Sequence, residues 1–307
     1  MKLFVTGGAG FIGRHLVKSF LKGKNEITIF ENFSNSKKTD ISDLIKNGVK
    51  IIEGSLINQK LLKKSLTDID YVIHLAANID ISKSLITPEK SHNVNVLGSI
   101  NLLKASIDNQ ISGIIGASSA AVYGNPTQLP VTENTIPNPV SPYGADKLSM
   151  ENYFKAFANA FEINCLSLRF FNVYGNGQSN SYAGVITKFI EKLNKNQPLE
   201  IFGDGKNSRD FIYIDDLIQG IQKSLKKIKN KRGQCYNIAS GKSYSVLDLA
   251  KIITSISGNE NKFLYRSFRT GDLRFSEASI DLAKKELQFT PKFNLEQGLK
   301  KMLIERN

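Results

Sequence analysis

The sequence has 307 residues and a formal net charge of +13, from 41 lysines and arginines against 28 acidic residues. A chain of this length can bury a sizeable core and is expected to form about two domains. With two cysteines, we expect a cytoplasmic protein that lacks a disulfide framework. The first predicted strand begins at residue 2 and no apolar run could span a bilayer, so we expect neither a secretory signal nor a membrane partner.

The positive charge could indicate an anionic partner such as nucleic acid. However, the lysines are scattered, and the densest run, residues 223–232, is typical of the exposed end of a helix. No aromatic residues interleave with that run, as a stacking surface for bases would require. We therefore expect a solvated lysine-rich face and no nucleic-acid partner, while a mild positive field could attract a charged nucleotide substrate.

The first predicted elements are a buried strand over residues 2–5, a glycine-rich turn and a helix over residues 11–21. Gly7 permits the tight turn, Gly10 lets the backbone approach a pyrophosphate, and Gly13 lets the helix pack closely on its strand. The helix N-terminus supplies N–H donors and a partial positive charge for phosphates. This order of elements predicts a dinucleotide-binding site.

Glu31 follows the second predicted strand, residues 26–30, at the distance expected for an acid that holds both ribose hydroxyls. Its carboxylate would repel a 2′-phosphate, so we expect NAD rather than NADP as the cofactor. Lys37 and Lys38 lie close by and could soften this preference, but solvated loop lysines are the favoured interpretation.

Strand-like runs alternate with helix-like runs through the first half of the chain, for example at residues 50–53, 71–75 and 113–117. This alternation predicts an α/β fold in which helices wrap a parallel sheet, that is, a doubly wound sheet of the Rossmann type.

Tyr143 and Lys147 lie four residues apart and would share one face of a helix. A nearby ammonium favours the phenolate, so we expect the tyrosine pKa to fall from about 10 toward neutrality. Such a tyrosine can take a proton from a hydroxyl while a nicotinamide takes the hydride, which is the chemistry of alcohol oxidation. Ser119 could hydrogen-bond the reacting hydroxyl, and a strand-end serine bonded to the backbone is the structural alternative.

None of the three histidines, His15, His74 and His92, has a metal-ligand or triad neighbour at useful spacing. We expect His74, which lies in an apolar strand, to be a satisfied core residue, and we expect no metal site. Asp146 falls on a different helix face from Tyr143, so we expect it to be a solvated surface residue.

Nine motifs follow one another along the chain, at residues 6–13, 31–34, 74–77, 95–99, 117–124, 143–147, 169–175, 203–216 and 269–272. In their order and spacing the chain resembles the extended short-chain dehydrogenase/reductase family. Within that family it is similar to nucleotide-sugar epimerases of the UDP-glucose 4-epimerase and UDP-N-acetylglucosamine 4-epimerase type. Each motif alone is weak or moderate, and their combination is specific.

The resemblance implies two domains. These are an NAD-binding Rossmann domain of residues 1–168, to which segments near 211–240 return, and a smaller C-terminal UDP-sugar-binding domain of residues 169–210 and 241–307. The active site would lie between them, at the carboxyl ends of the strands. A homodimer is also implied, in which the helix near Tyr143 pairs with the helix of residues 96–107; burial of these helices in the core is the alternative.

By this resemblance Tyr143 would be the acid and base, Lys147 would lower its pKa and bind the nicotinamide ribose, and Ser119 would hydrogen-bond the sugar hydroxyl. The C4 carbon would be oxidised to a 4-keto sugar, which turns and is reduced on its other face, so that tightly held NAD is regenerated. Ser55 replaces an aspartate that usually faces the adenine, so this hydrogen bond would be weaker. The residues expected to contact NAD are Gly7, Gly10, Phe11, Ile12, Gly13, Glu31, Asn32, Ser55, Leu56, Leu75, Ala76, Ala77, Asn95, Tyr143 and Lys147.

The resemblance assigns Arg209 and Arg269 to the substrate diphosphate, because a guanidinium offers a bidentate fork to phosphate oxygens. Asn172 would donate to a phosphate or sugar oxygen, and Tyr174 would flank the cofactor or the sugar. Ser276 falls at the position that gates the sugar C2 substituent, where a small residue leaves room for an N-acetyl group. We therefore expect activity on UDP-GlcNAc and UDP-GalNAc as well as on UDP-glucose and UDP-galactose.

Related dehydratases carry an Asp-Glu pair just after the catalytic serine or threonine, and related decarboxylases carry a glutamate there. This chain has Ala120 and Ala121, so elimination lacks its catalysts and epimerisation is favoured. A UDP-glucuronate 4-epimerase stays open, since Arg274 could meet a carboxylate. A non-enzymatic NAD-binding regulator is disfavoured, because such proteins usually lose the active-site tyrosine or lysine.

Overall fold

The computed structural model describes residues 1–178, 184–258, 262–267 and 274–304. The strands in these ranges are β1 Lys2–Thr6, β2 Glu26–Glu31, β3 Lys50–Glu53, β4 Tyr71–His74, β5 Gly113–Ser119, β6 Cys165–Phe170, β7 Asn172–Tyr174, β8 Leu199–Phe202, β9 Ser208–Tyr213, β10 Arg232–Ile238, β11 Ser243–Ser245 and β12 Phe263–Arg266. The α-helices are α1 Phe11–Leu21, α2 Ser42–Lys46, α3 Gln59–Ser65, α4 Ile81–Ile86, α5 Pro88–His92, α6 Gly98–Asp108, α7 Pro142–Phe161, α8 Val185–Asn194, α9 Ile214–Lys226, α10 Val246–Ser257, α11 Asp281–Leu287 and α12 Leu295–Ile304.

The largest sheet in the described ranges has seven parallel strands in the order β10-β6-β5-β4-β1-β2-β3. Leu3 of β1 lies opposite Ile27 of β2 on one side and Tyr71 of β4 on the other, and the β10–β6 pair has a register shift between Arg232 and Gln234. The chain reverses its direction of travel across the sheet between β1 and β4, which creates the switch point where such folds bind ligands. This topology confirms the predicted doubly wound fold of the Rossmann type.

The two faces of this sheet have separate hydrophobic cores, because successive strand residues point to opposite sides. Leu3 and Val5 pack in a core that includes the buried faces of α1 and α9. Phe4 belongs to the other core, which includes residues of α3, α6 and α7. Because helices cover both faces, β1 and β6 consist of almost wholly buried residues.

The second half of the chain adds two small sheets. β7 and β11 flank β9 in a three-stranded sheet, and β8 pairs with β12. Of the segment near residues 211–240, β10 returns to the large sheet, where Tyr236 lies opposite Leu168 of β6. β9 stays in the small sheet. β6 ends at Phe170 and β7 starts at Asn172, so the chain leaves the large sheet close to residue 168, the predicted domain boundary. The division into two domains stays a prediction.

Helix α7 carries more apolar surface than the core covers. Phe154 is fully buried and Phe157 packs against the same core, whereas Tyr153 and Phe161 are exposed. The homodimer stays a prediction.

Three further expectations concern the lysine-rich face, the cysteines and membrane-spanning helices. In the run 223–232, Lys226, Lys227 and Lys229 are exposed, as predicted, whereas Lys223, Lys231 and Arg232 are half-buried and Lys231 pairs with Glu286 at 2.6 Å. Cys165 and Cys235 are both free thiols. Within the described ranges, each helix is too short or too polar to cross a bilayer.

Candidate active site

The turn between β1 and α1 requires glycine at two positions. Gly7 has a φ of +71°, and a Cβ there would lie 2.7 Å from the Ala76 nitrogen. A Cβ at Gly13 would overlap the carbonyl oxygen of Gly7. A Cβ at Gly10 would have a single atom within 4 Å, the same Gly7 oxygen at 3.2 Å. The space beside Gly10 is therefore open, and a ligand can approach the backbone there. Gly10 also caps α1 without a side chain, which leaves the first N–H groups of this helix for phosphates.

Glu31, at the end of β2, is oriented by the backbone. Its Oε2 accepts the N–H of Ala9 at 3.2 Å, and its Oε1 accepts those of Asn32 at 3.1 Å and Phe33 at 3.2 Å. Burial raises the pKa of the Glu31 carboxyl, and the three hydrogen bonds oppose that shift. The carboxylate is therefore fixed beside the glycine-rich turn, where a ribose hydroxyl could donate to it.

The two nearby lysines differ in position. Lys37 lines the same cleft as Glu31, whereas Lys38 forms an exposed ion pair with Glu53 at 2.7 Å. An exposed pair of this kind contributes little to stability. Lys38 thus fits the predicted solvated loop lysine, and Lys37 lies closer to the cofactor site than expected.

One cleft of about 1050 Å³ brings together most of the residues predicted from the sequence. It opens at the carboxyl ends of the parallel strands, where dinucleotides bind in folds of this class. The predicted residues that line it are Gly7, Gly10, Phe11, Ile12, Gly13, Glu31, Asn32, Ser55, Leu56, Leu75, Ala76, Ala77, Ser119, Tyr143 and Lys147. These walls and the glycine cradle fit a dinucleotide.

Asn95 is the predicted cofactor residue that does not line this cleft. Its side chain is buried, donates to the Asn78 carbonyl at 3.0 Å and accepts the Asn78 N–H at 2.7 Å. It also donates to the Ser91 hydroxyl at 3.2 Å. Asn95 therefore holds the loop after β4, and its direct contact with NAD stays a prediction.

The catalytic residues predicted from the sequence meet at one end of the cleft. Ser119 ends β5, and Ser141 caps α7 by accepting the Gly144 N–H at 3.1 Å, which sets the first turn that carries Tyr143. Tyr143 and Ser119 both line this end of the cleft, and Ser119 acts on the Tyr143 phenol as a hydrogen-bonding group that lowers its pKa. Lys147 follows one turn later, with its Nζ 6.0 Å from the centre of the Tyr143 ring.

The predicted fall in the pKa of Tyr143 is wrong for this arrangement. Burial raises the pKa of the phenol, because a phenolate is poorly solvated there, and the hydrogen bond with Ser119 opposes the shift. Lys147 points its Nζ at the carbonyl of Ala117, 2.7 Å away, rather than at the phenol oxygen. Burial also lowers the pKa of Lys147 to about 8, although the negative charges of Asp146 and Glu151 raise it in part.

Asp146 is not the solvated surface residue that the helix periodicity predicted. It is 5% exposed, and its carboxylate accepts the Ser91 hydroxyl at 2.6 Å and the His92 ring N–H at 3.2 Å. Residues three apart lie on the same side of a helix, so Asp146 is not turned away from Tyr143, and α5 packs against this part of α7 and covers it. The negative charge of Asp146 consequently lies close to Lys147.

A buried ion pair that the sequence did not predict lies behind the catalytic residues. Arg169 of β6 donates to Glu151 of α7 through Nε at 2.9 Å and through a terminal nitrogen at 2.7 Å. Ser118 donates to the same carboxylate at 2.5 Å, and Arg169 also donates to the Tyr123 hydroxyl at 2.8 Å. This network ties together β5, β6 and α7. Two signals were present in the sequence: Glu151 lies four residues after Lys147, and Arg169 interrupts an apolar strand.

A second cavity, of about 650 Å³, lies in the second half of the chain. Asn172, Tyr174 and Arg209 line it, and Val173 and Gln178 line both this cavity and the cofactor cleft. The two spaces are therefore neighbours, as expected for a cofactor and a substrate that react.

The remaining predicted substrate residues lie elsewhere. Ser276 is buried and lines neither of the two cavities described above. Arg274 is exposed and packs over the ring of Phe275, 5.4 Å from its centre. Arg269 lies outside the described residues, so its contact with the diphosphate stays a prediction.

His74 is a satisfied core residue, as predicted. Its Nδ1 pairs with the Thr6 hydroxyl at 2.7 Å and its Nε2 with the Ser99 hydroxyl at 3.0 Å. Burial, reinforced by the charge of Lys147, lowers the pKa of His74 to about 3, so the ring is neutral at physiological pH. Among the described residues no group of His, Cys, Asp or Glu could hold a metal ion.

Known proteins show where this architecture occurs. The model of a family described as NAD dependent epimerase/dehydratase matches residues 3–239. The structure of the UDP-glucose 4-epimerase of Thermotoga maritima with UDP-glucose is 32% identical to this chain, with a TM-score of 0.93 over 99% of this chain and 98% of that one.

Two further solved structures are similar over nearly their whole length. The UDP-N-acetylglucosamine 4-epimerase of Methanobrevibacter ruminantium, with UDP-N-acetylmuramic acid, is 33% identical and has a TM-score of 0.93, covering 100% of this chain and 99% of that one. The UDP-glucuronic acid 4-epimerase of Bacillus cereus, with UDP-glucuronic acid and NAD, is 33% identical with a TM-score of 0.90, covering 98% of each chain. This chain therefore belongs to the NAD-dependent epimerase/dehydratase family of extended short-chain dehydrogenases/reductases, and it is an isomerase whose cofactor is NAD.

Proposed function

We propose that the protein inverts C4 of a UDP-hexose through a 4-keto intermediate. The observation that carries this proposal is that Ser119, Tyr143 and Lys147 together line one end of a cleft that fits NAD. The next two residues, Ala120 and Ala121, offer neither the acid nor the base that elimination of water would need. A reversible oxidation at one carbon is the reaction that these groups can support.

Bound NAD supplies reversible two-electron oxidation of the sugar carbon. Tyr143 removes the proton of the C4 hydroxyl and later returns it, and Ser119 holds the C4 oxygen by a hydrogen bond. Positioned proton transfer of this kind accelerates a reaction by about 10²–10⁴-fold. Burial raises the pKa of Tyr143, and the Lys147 ammonium, 6.0 Å from the centre of the phenol ring, is the nearby positive charge that we propose opposes this during catalysis.

The second cavity is proposed to hold the UDP group. Arg209 and Asn172 line it and offer donors to phosphate oxygens. Its walls meet the cofactor cleft at Val173 and Gln178, so a sugar attached to UDP could extend from one space into the other. Similar structures contain UDP-glucose, UDP-N-acetylmuramic acid or UDP-glucuronic acid, all of which carry the same nucleotide.

We propose that the sugar can be plain or N-acetylated, because Ser276 is small at the position expected to gate the C2 substituent. UDP-glucuronate is the second candidate substrate. A solved structure that is 33% identical to this chain is a UDP-glucuronic acid 4-epimerase, and Arg274 is a cation two residues before Ser276. Arg274 is exposed and covers Phe275, which favours a surface role over a contact with a sugar carboxylate.

The test is a panel of UDP-glucose, UDP-galactose, UDP-GlcNAc, UDP-GalNAc and UDP-glucuronate, incubated with purified protein and no added NAD. Chromatography should show each neutral sugar converted to its C4 epimer, with little conversion of the glucuronate. The matched control is Tyr143→Phe, which keeps the ring and removes the hydroxyl, and should bind NAD without turnover. Conversion of UDP-galactose without UDP-GalNAc would contradict the sugar assignment, and conversion of no sugar would contradict the function.

We also propose a cytoplasmic homodimer. Tyr153 and Phe161 lie exposed on α7, and Leu97, the residue directly before α6, is exposed as well. Aromatic rings on a helix surface are typical of interfaces. Sedimentation equilibrium should give twice the chain mass, and Tyr153→Asp should shift it to the single chain; a monomeric wild type would contradict this proposal.

A further inference from the structure

A short loop lies between the cofactor cleft and the neighbouring cavity. It follows β7 and comprises residues 175–178. Gly177 and Gln178 line the cofactor cleft, together with Gly10 and Arg14 at the start of α1. Gln178 also lines the second cavity. The position of this loop therefore affects how freely a dinucleotide can leave the cleft.

Two side chains of α1 hold this loop. Arg14 donates to the carbonyl of Gly177 at 2.7 Å. His15 pairs through Nε2 with the carbonyl of Asn176 at 2.8 Å, and since a carbonyl only accepts, Nε2 must carry the proton. The His15 ring also packs edge-on against Phe11, with ring centres 5.5 Å apart at 83°. The contacts come from neighbouring residues of the helix whose N-terminus is built for phosphates.

The loop is braced from its other side as well. Asn176 donates through its side chain to the carbonyl of Met302 in α12 at 3.0 Å. Gln178 accepts the hydroxyl of Thr187 in α8 at 3.1 Å. A Cβ at Gly175 would press on Ile214, so the backbone there is packed closely. The loop is thus fixed to the body of the protein, and Arg14 and His15 are its connections to α1.

We propose that Arg14 and His15 are positioning residues that hold the 175–178 loop against the phosphate-binding helix and so slow the release of NAD. For the loop to move away from α1, both hydrogen bonds must break. The bond from Arg14 has a charged donor and is the stronger type. The Arg14 guanidinium also places a positive charge on the wall of a cleft that takes a pyrophosphate. This inference concerns the cofactor and holds for any sugar substrate.

The experiment measures NAD release directly. Protein purified with bound NAD is mixed with excess isotopically labelled NAD, and the loss of unlabelled NAD is followed by mass spectrometry. Arg14→Ala should release NAD about tenfold faster than wild type, which corresponds to about 1.4 kcal/mol. Lys18→Ala is the matched control, because Lys18 is an exposed cation one turn further along α1. It should release NAD at the wild-type rate.

His15 supplies an independent test with its own rescue. His15→Leu removes the donor and should accelerate release several-fold, whereas His15→Gln keeps an N–H at a similar reach and should stay close to wild type. Circular dichroism and thermal unfolding in saturating NAD should be similar for all variants. Wild-type release rates in both Arg14→Ala and His15→Leu would overturn the proposal. Equal acceleration by Lys18→Ala would overturn it too, since net charge alone would then explain the effect.

Discussion

The buried carboxylate of Glu151 is expected to control both stability and the charge of Lys147. The variant Glu151→Gln keeps the shape of the side chain and removes its charge. In the wild type this carboxylate accepts two hydrogen bonds from Arg169 and one from Ser118, and both members of the ion pair are about 95% buried. The substitution leaves the guanidinium with neutral acceptors alone: the new glutamine oxygen, the Tyr123 hydroxyl and the Glu133 carbonyl.

The stability loss should be large. Removing one partner of a buried ion pair costs about 3–5 kcal/mol, because the remaining charge is uncompensated. Since Arg169 keeps its hydrogen bond to Tyr123, we expect about 3 kcal/mol. Urea unfolding followed by circular dichroism measures this loss. The matched control is Glu296→Gln, which breaks an exposed pair with Lys300 and should cost less than about 1 kcal/mol.

The pH profile gives a second result that a purely structural role would not produce. The carboxylates of Asp146 and Glu151 raise the pKa of Lys147 against the effect of burial, which lowers it to about 8, and His74 is the neutral group facing it from β4. A unit charge roughly 6 Å away is worth about 3 kcal/mol at an effective dielectric constant of about 20, and Arg169, which is present in wild type and variant alike, leaves this difference unchanged.

Without Glu151 the pKa of Lys147 should therefore fall by about two units, since one unit is about 1.4 kcal/mol, and the alkaline limb of kcat should move to lower pH by the same amount. An unmoved alkaline limb in a folded, NAD-loaded variant would refute the reasoning, as would a stability loss no larger than that of the surface control.

Three other predictions concern separate parts of the molecule. Gly13→Ala should largely abolish NAD binding, because its Cβ would overlap the Gly7 carbonyl; the NAD content of purified protein checks this. Ser276→Tyr should lower kcat/KM for UDP-GalNAc at least tenfold more than for UDP-galactose, and equal losses would count against the sugar-gating assignment. His74 is held neutral with a pKa of about 3, whereas the unfolded chain takes up a proton near pH 6.5, so stability is lost as pH falls below that value. The stability advantage of wild type over His74→Asn should narrow by about 1.4 kcal/mol per pH unit between pH 6 and 5, measured by urea unfolding.

Features that depend on local geometry could be predicted from the sequence. The strand, glycine turn and helix at the N-terminus are specified by residues next to one another. A side chain at Gly13 would overlap the backbone of the turn itself, and one at Gly7 would overlap the backbone at Leu75 and Ala76. The helical spacing of Tyr143 and Lys147 is equally local. The parallel order of the first strands follows from their alternation with helices.

Features that depend on tertiary packing could not be predicted from the sequence. The expectation for Asp146 was wrong on two counts: residues three apart lie on the same side of a helix, and the sequence could not reveal that α5 packs against α7 there. The direction of the pKa shift at Tyr143 was wrong because burial, which the spacing of two residues does not report, outweighs the favourable contacts. Asn95 was placed at the cofactor by its motif, whereas its side chain holds the Asn78 loop.

The ion pair of Glu151 and Arg169 also depends on tertiary packing that the sequence does not reveal. A double variant can separate the two roles of Glu151, which are stabilising the fold and supporting the charged form of Lys147. Arg169 interrupts an apolar strand, but nothing in the sequence names Glu151 as its partner, and the pair exists because α7 lies against β6. Replacing a buried pair with apolar side chains of similar volume is often neutral or stabilising. Glu151→Leu combined with Arg169→Met should therefore recover at least half of the stability lost in Glu151→Gln, as measured by urea unfolding. The alkaline limb of kcat should nevertheless stay shifted to lower pH, because no negative charge remains at residue 151 to support the charged form of Lys147. A double variant that regained both stability and the wild-type pH profile would show that Glu151 acts on catalysis through packing alone.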